Sequence, residues 1–97
     1  MGRNGYHRPW TYSHHFLTID VMNHVTLKAL GQRIREKRQS LDWTQEILAE
    51  KAEIDRSYIG GVERGERNLT FTVLCQICTA LKCDVAELTK GIPGLPK

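Results

Sequence analysis

Two short stretches of this chain carry apolar residues at helical spacing with almost nothing between them, and that closeness limits the fold more than any other feature. Residues 45–52 place Ile47, Leu48 and Ala52 on one face, and residues 56–64 do the same with Ile59 and Val62. Thr44 and Asp55 stand just ahead of the two stretches, where a short oxygen-bearing side chain accepts from an orphan N–H of a first helical turn. Only Glu53 and Ile54 lie between, so two helices must cross sharply, which exposes the start of the second.

The rest of the chain supplies a body for that pair. Leu27, Leu30 and Ile34 recur at three and four residue spacing, with Lys28, Arg33, Arg35, Glu36 and Lys37 opposite, which predicts a first helix over about 26–40. Gly65 offers a left-handed stop after the third helix. Thr70 caps a fourth helix over 71–81 with Phe71, Leu74, Ile77, Cys78 and Leu81 inward, and Asp84 caps a last turn through Val85 and Leu88 before Gly91. Pro93 and Pro96 end helical structure. Five helices joined by turns of a few residues predict an all-α, compact domain.

A chain of 97 residues, 40% of them hydrophobic, closes one core and no more. The division expected is an N-terminal arm over 1–25, a folded domain over 26–92 and a tail over 93–97. The arm holds Gly2, Gly5, Pro9, scattered aromatics and most of the histidines, and its 16–21 run (FLTIDV) alternates weakly, as a short strand would. Met22 stands where the domain-like pattern begins and is a candidate natural start. With 14 Lys plus Arg against 11 Asp plus Glu, the net charge of +3 permits nucleic-acid binding without demanding it. No apolar run is long enough for a membrane span or a secretory signal, and Cys75, Cys78 and Cys83 are an odd number crowded together. A cytoplasmic, reduced protein is expected.

The run WTQEILAEKAEIDRSYIGGVERGERN at 43–68 resembles the lambda-repressor and Cro family, also called XRE-type, through several matches together: Thr44-Gln45-Glu46, Leu48-Ala49, Ile59, Val62, Glu63-Arg64-Gly65 and Asn68. The likeness extends from about Leu30 to Leu88. It implies a five-helix, lambda-repressor-like helix-turn-helix domain and a sequence-specific transcriptional regulator, similar to restriction-modification controller proteins and small phage repressors. Ala49 also has a reason independent of any family, because helices crossing near backbone contact need a small side chain there.

The resemblance further implies an ion pair between Arg38, late in the first helix, and Glu63 near the end of the third. In this docking mode the N-terminal residues of the recognition helix meet base edges, which makes Arg56, Ser57 and Gly61 the candidate base readers. Arg56 can donate two parallel bonds to guanine O6 and N7, or else contact a phosphate; Ser57 pairs with several bases. Thr44, Gln45, Arg64, Arg67 and Asn68 are candidate phosphate contacts, at a helix N-terminus and in the loop after the third helix. Tyr58 either packs over the second helix or sets its hydroxyl on a phosphate. By analogy the partner is double-stranded DNA bearing a pseudo-palindromic operator, met by a homodimer formed through helices four and five, with Leu88 and Ile92 as apolar anchors. No cofactor is implied.

Other features have blander readings. A structural zinc site wants four ligands and the three cysteines find no fourth nearby, so Cys78 reads as a small core residue; His7, His14 and His15 read as exposed. Arg3 and Arg8 among aromatics could track a minor groove, against terminal disorder as the plain alternative. No catalytic constellation is present, and an enzyme is not expected. The competing class is a protein-binding module, such as an antitoxin that neutralises a partner protein while holding DNA; it would need an exposed apolar patch of several hundred Å² beyond the dimer face.

Overall fold

The computed structural model describes the backbone of residues 9–94 and the side chains of residues 20–94. Five helices follow in order: α1 (Pro9–Ser40), α2 (Gln45–Ala52), α3 (Arg56–Glu63), α4 (Phe71–Leu81) and α5 (Val85–Thr89). No strand occurs among the described residues.

Local chemistry accounts for both ends of nearly every element. Thr44 and Thr70 accept from the backbone N–H three residues on, each at 3.2 Å, and Asp84 does so at 2.7 Å. Asp55 accepts from Ser57 N–H at 2.8 Å. The C-termini of α1 to α4 share one closure, in which a left-handed residue (Asp42, Glu53, Gly65 or Lys82) lets the next N–H reach back five residues to a helical carbonyl. At the end of α4 that closure sets Cys83 against Cys78, the apolar contact such a turn usually carries. Burial and the neighbouring Cys83 thiol push the Cys78 thiol up to about 12. Cys78 is accordingly a core methyl-sized group rather than a thiolate.

The first helix is longer than the sequence pattern predicts. Among the described residues it runs unbroken from Pro9 to Ser40, so the 16–21 run lies in helix rather than strand. An isolated strand has no partner for its N–H and C=O groups, whereas a helix satisfies them internally. Arg3, His7 and Arg8 lie outside the described residues, as do the side chains of His14 and His15.

Every helix contributes to one core: Ile34 from α1, Leu48 from α2, Ile59 from α3, Ile77 and Leu81 from α4, and Leu88 from α5. Burying each such side chain stabilises the fold by about 1.5–3 kcal/mol relative to leaving it in water. Leu88 therefore does not serve as the exposed dimer anchor expected of it. It is 4% exposed in the single chain, because α5 lies against α1. The five-residue α5 is fastened there by Arg33, whose guanidinium donates to the carbonyls of Leu88 at 3.0 Å and Lys90 at 2.6 Å. Gln76 of α4 does the same for α2, donating to Ala52 O at 2.6 Å.

Ala49 is buried, but a tighter crossing is made by Gly31 of α1. A Cβ there would lie 2.4 Å from Val62 O and 2.7 Å from Glu63 O, so only glycine lets α1 pass the end of α3.

Candidate nucleic-acid interface

The junction of α1, α2 and α3 is locked by one charged cluster. Arg38 Nε donates to Glu63 Oε2 at 2.6 Å and Nη2 to Glu63 Oε1 at 3.0 Å, while Nη1 donates to Trp43 O at 2.7 Å. Gln45 Nε2 donates to Glu63 Oε1 at 3.0 Å. Arg38 and Glu63 are each 9% exposed, and the hydrogen bond to Glu63 raises the guanidinium pKa further. A bidentate pair with its remaining atoms satisfied is the arrangement in which a buried charge is tolerated. It fixes the end of α1, the start of α2 and the end of α3 relative to one another.

With its C-terminal half held inside, α3 presents its N-terminal turn. Ile59, Val62 and Glu63 are buried, whereas Asp55, Arg56 and Ser57 are exposed. Arg56 Nε lies 3.5 Å from Glu46 Oε2 on α2, an exposed pair that is weak in water and leaves the terminal fork of the guanidinium open. Ser57 Oγ donates to Asp55 Oδ1 at 2.9 Å.

Gly61 does not sit on that open surface. It is buried beneath Arg67, where a Cβ would meet Arg67 Cγ at 3.1 Å, and with no side chain of its own it offers no group to a base. The next glycine is covered likewise: a Cβ on Gly60 would meet Arg64 Nη1 at 3.1 Å. The two glycines make room for two arginines to lie along α3, which explains residues that cost about 1 kcal/mol each in a helix. Arg67 also stacks over the half-buried Tyr58 ring, at 5.3 Å from its centroid, and Arg64 Nε is 3.1 Å from Glu66 Oε1.

The remaining candidates for phosphate contact differ in how free they are. Thr44 and Asn68 are exposed; Gln45 is half-buried and spends one amide hydrogen on Glu63. Neither the clamp of Arg33 and Gln76 on helix ends nor the close pass at Gly31 is announced by spacing. Each depends on which helices meet, and only Arg33's place on the first helix was visible beforehand. Among the described residues no group of three or more His, Cys, Asp or Glu gathers as metal ligands, and no described helix is long and apolar enough to cross a membrane.

Comparison with known proteins places this geometry. Residues 34–88 match the family HTH_3, helix-turn-helix. The control protein C.SmaI of Serratia marcescens is 41% identical over 59 residues, covering 61% of this chain and 70% of that protein. The crystal structure of the restriction-modification controller protein C.AhdI from Aeromonas hydrophila superposes with a TM-score of 0.63 at 45% identity, over 64% of this chain and 94% of that one. A further neighbour is the controller protein C.Esp1396I, solved as a tetramer in complex with its natural 35 base-pair operator. It has a TM-score of 0.62 at 36% identity, over 65% of this chain and 83% of that one. The chain belongs to the XRE-type helix-turn-helix family of DNA-binding transcriptional regulators.

Proposed function

We propose that a homodimer of this chain binds a pseudo-palindromic operator in the cytoplasm, each protomer setting α3 into the major groove, with 26–92 as the DNA-binding unit. The observation that carries the reading is the asymmetry of α3: a buried, ion-paired C-terminal half and an N-terminal turn that offers Arg56 and Ser57 to solvent. Arg56 reads guanine through its open fork, and Ser57 reads a neighbouring base. Thr44, Gln45, Arg64, Arg67 and Asn68 hold phosphates, with the Tyr58 hydroxyl available for another while its ring carries Arg67.

Protomers meet through α4 and α5. Since Leu88 is committed to the core, the apolar contact passes to the half-buried Ile92 and to Phe71, which is 68% exposed at the start of α4. The controller protein C.Esp1396I on its operator is an oligomer, in keeping with this arrangement.

The test is selection of bound duplexes from a random pool, repeated with two variants. Arg56→Ala should flatten preference at one position of the recovered half-site, by about 1–3 kcal/mol. Arg67→Ala should weaken all sequences about equally and reduce the slope of log affinity against log salt by about one. If no duplex sequence is enriched, the reading fails.

A further inference from the structure

The hydroxyl of Ser57 carries one hydrogen, and that hydrogen is already used. Ser57 Oγ lies 2.9 Å from Asp55 Oδ1, and Ser57 N lies 2.8 Å from the same oxygen. An ionised carboxylate only accepts, so the hydroxyl is the donor in the first of these contacts. The Ser57 backbone N–H, and after it the hydroxyl, hold the Asp55 carboxyl below its usual range, so it stays ionised at neutral pH. What Ser57 turns outward is then a pair of oxygen lone pairs with no proton to give.

We infer that Asp55 makes Ser57 an acceptor-only base reader, selecting on the strand it reaches a base that carries a major-groove amino group, adenine through N6 or cytosine through N4. This rests on the reading of α3 as the recognition helix and adds a sequence rule to it. A free serine hydroxyl serves either polarity and discriminates little. With its rotor fixed, Ser57 faces guanine O6 or thymine O4 lone pair to lone pair, which costs a desolvated acceptor on each side. Arg56, donor-only, and Ser57, acceptor-only, then read adjacent positions with opposite polarity. Asp55 acts here as a positioning residue and touches no base.

The test uses the full chain and the half-site recovered from a random duplex pool. Each adenine or cytosine is replaced in turn by its amino-lacking analogue, purine or pyrimidin-2-one, and affinity is measured for the parent, Ser57→Ala and two Asp55 variants. The expected result is one position at which the analogue weakens the parent about 5- to 50-fold and Ser57→Ala less than twofold. At that position Asp55→Ala, checked as folded by circular dichroism, should narrow the penalty against thymine and guanine. Asp55→Asn, whose side-chain oxygen still accepts, should restore it. The inference is overturned if every analogue affects parent and Ser57→Ala alike, or if the position sensitive to Ser57 requires guanine or thymine. An enriched site with either result leaves the regulator reading intact, whereas a pool with no enriched sequence removes both.

Discussion

Arg38 shows how one side chain can set the shape of a binding surface it does not belong to. Its three bonds reach Glu63 and the Trp43 carbonyl, and Gln45 completes the coordination of Glu63. The partners come from sites 25 and 5 residues away, so periodicity alone could nominate neither; the pairing was legible only through the family motif around Glu63-Arg64-Gly65. Arg56 and Ser57 were legible more directly, because a capped helix with an inward stripe at Ile59 and Val62 must turn its first residues outward. The burial of Gly61 was not legible, because its covering group, Arg67, folds back from beyond the helix end. Arg38→Ala should leave the Glu63 carboxylate buried and short of its strongest partner, costing about 3–5 kcal/mol. In a domain of this size that lowers the melting temperature by roughly 12–40 °C. Thermal unfolding of Arg38→Ala beside the double variant Arg38→Met/Glu63→Leu checks this: the double variant should regain most of the loss, since apolar replacement removes both charges together. A single variant melting within a degree or two of the parent would contradict the structural role.

At the scale of elements, the boundaries of α2 to α5 could be read because each begins with a side chain that satisfies a known orphan N–H. The C-terminal closures were only partly visible. Gly65 announces its left-handed turn, but Asp42, Glu53 and Lys82 adopt the same conformation without glycine, at a cost of roughly 1–2 kcal/mol each. That expense is tolerated because each turn directs the chain into the next packed helix. The start of α1 was misplaced because weak alternation in 16–21 suggested a strand, which has no partner for its backbone groups there, whereas a helix satisfies them internally. Helix crossings are the least legible feature. Ala49 is small and buried, yet the closer pass is at Gly31, where both Val62 O and Glu63 O would clash with a methyl group. Gly31→Ala should therefore destabilise the domain by about 1–3 kcal/mol, although helix propensity alone predicts a gain of up to about 1. Chemical denaturation at constant m-value would report it. A gain in stability would mean that α1 can shift away from α3 at little cost, and that the crossing does not fix the presentation of the recognition helix.

For the whole molecule, what matters is that a single protomer cannot make the most of its own surface. One α3 exposes only the two proposed readers, Arg56 and Ser57, and the charge excess of +3 is modest, so on that reading high specificity calls for two copies on one duplex. The symmetry of such a pair would place the two recognition helices about 34 Å apart, one helical turn of DNA. Family analogy put both proposed anchors on α5 and beyond it; it could not tell that Leu88 would be buried where Arg33 fastens α5 to α1. Phe71, which helical spacing placed inward, sits instead in the first turn of α4 as the largest apolar group exposed on that helix, and a partner protomer is the proposed cover for it. Phe71→Glu should accordingly keep the helical content and melting behaviour of a folded domain, since the side chain packs little within its own chain. The same change should convert the protein to monomer at micromolar concentrations in sedimentation velocity, because a carboxylate in an apolar contact is not compensated. Affinity for the full palindrome should then fall to that for one half-site, by about a hundredfold or more, with the base preferences of each half unchanged. A Phe71→Glu protein that still sediments as a dimer and binds the intact operator undiminished would place the dimer contact elsewhere, with Ile92 as the next residue to change.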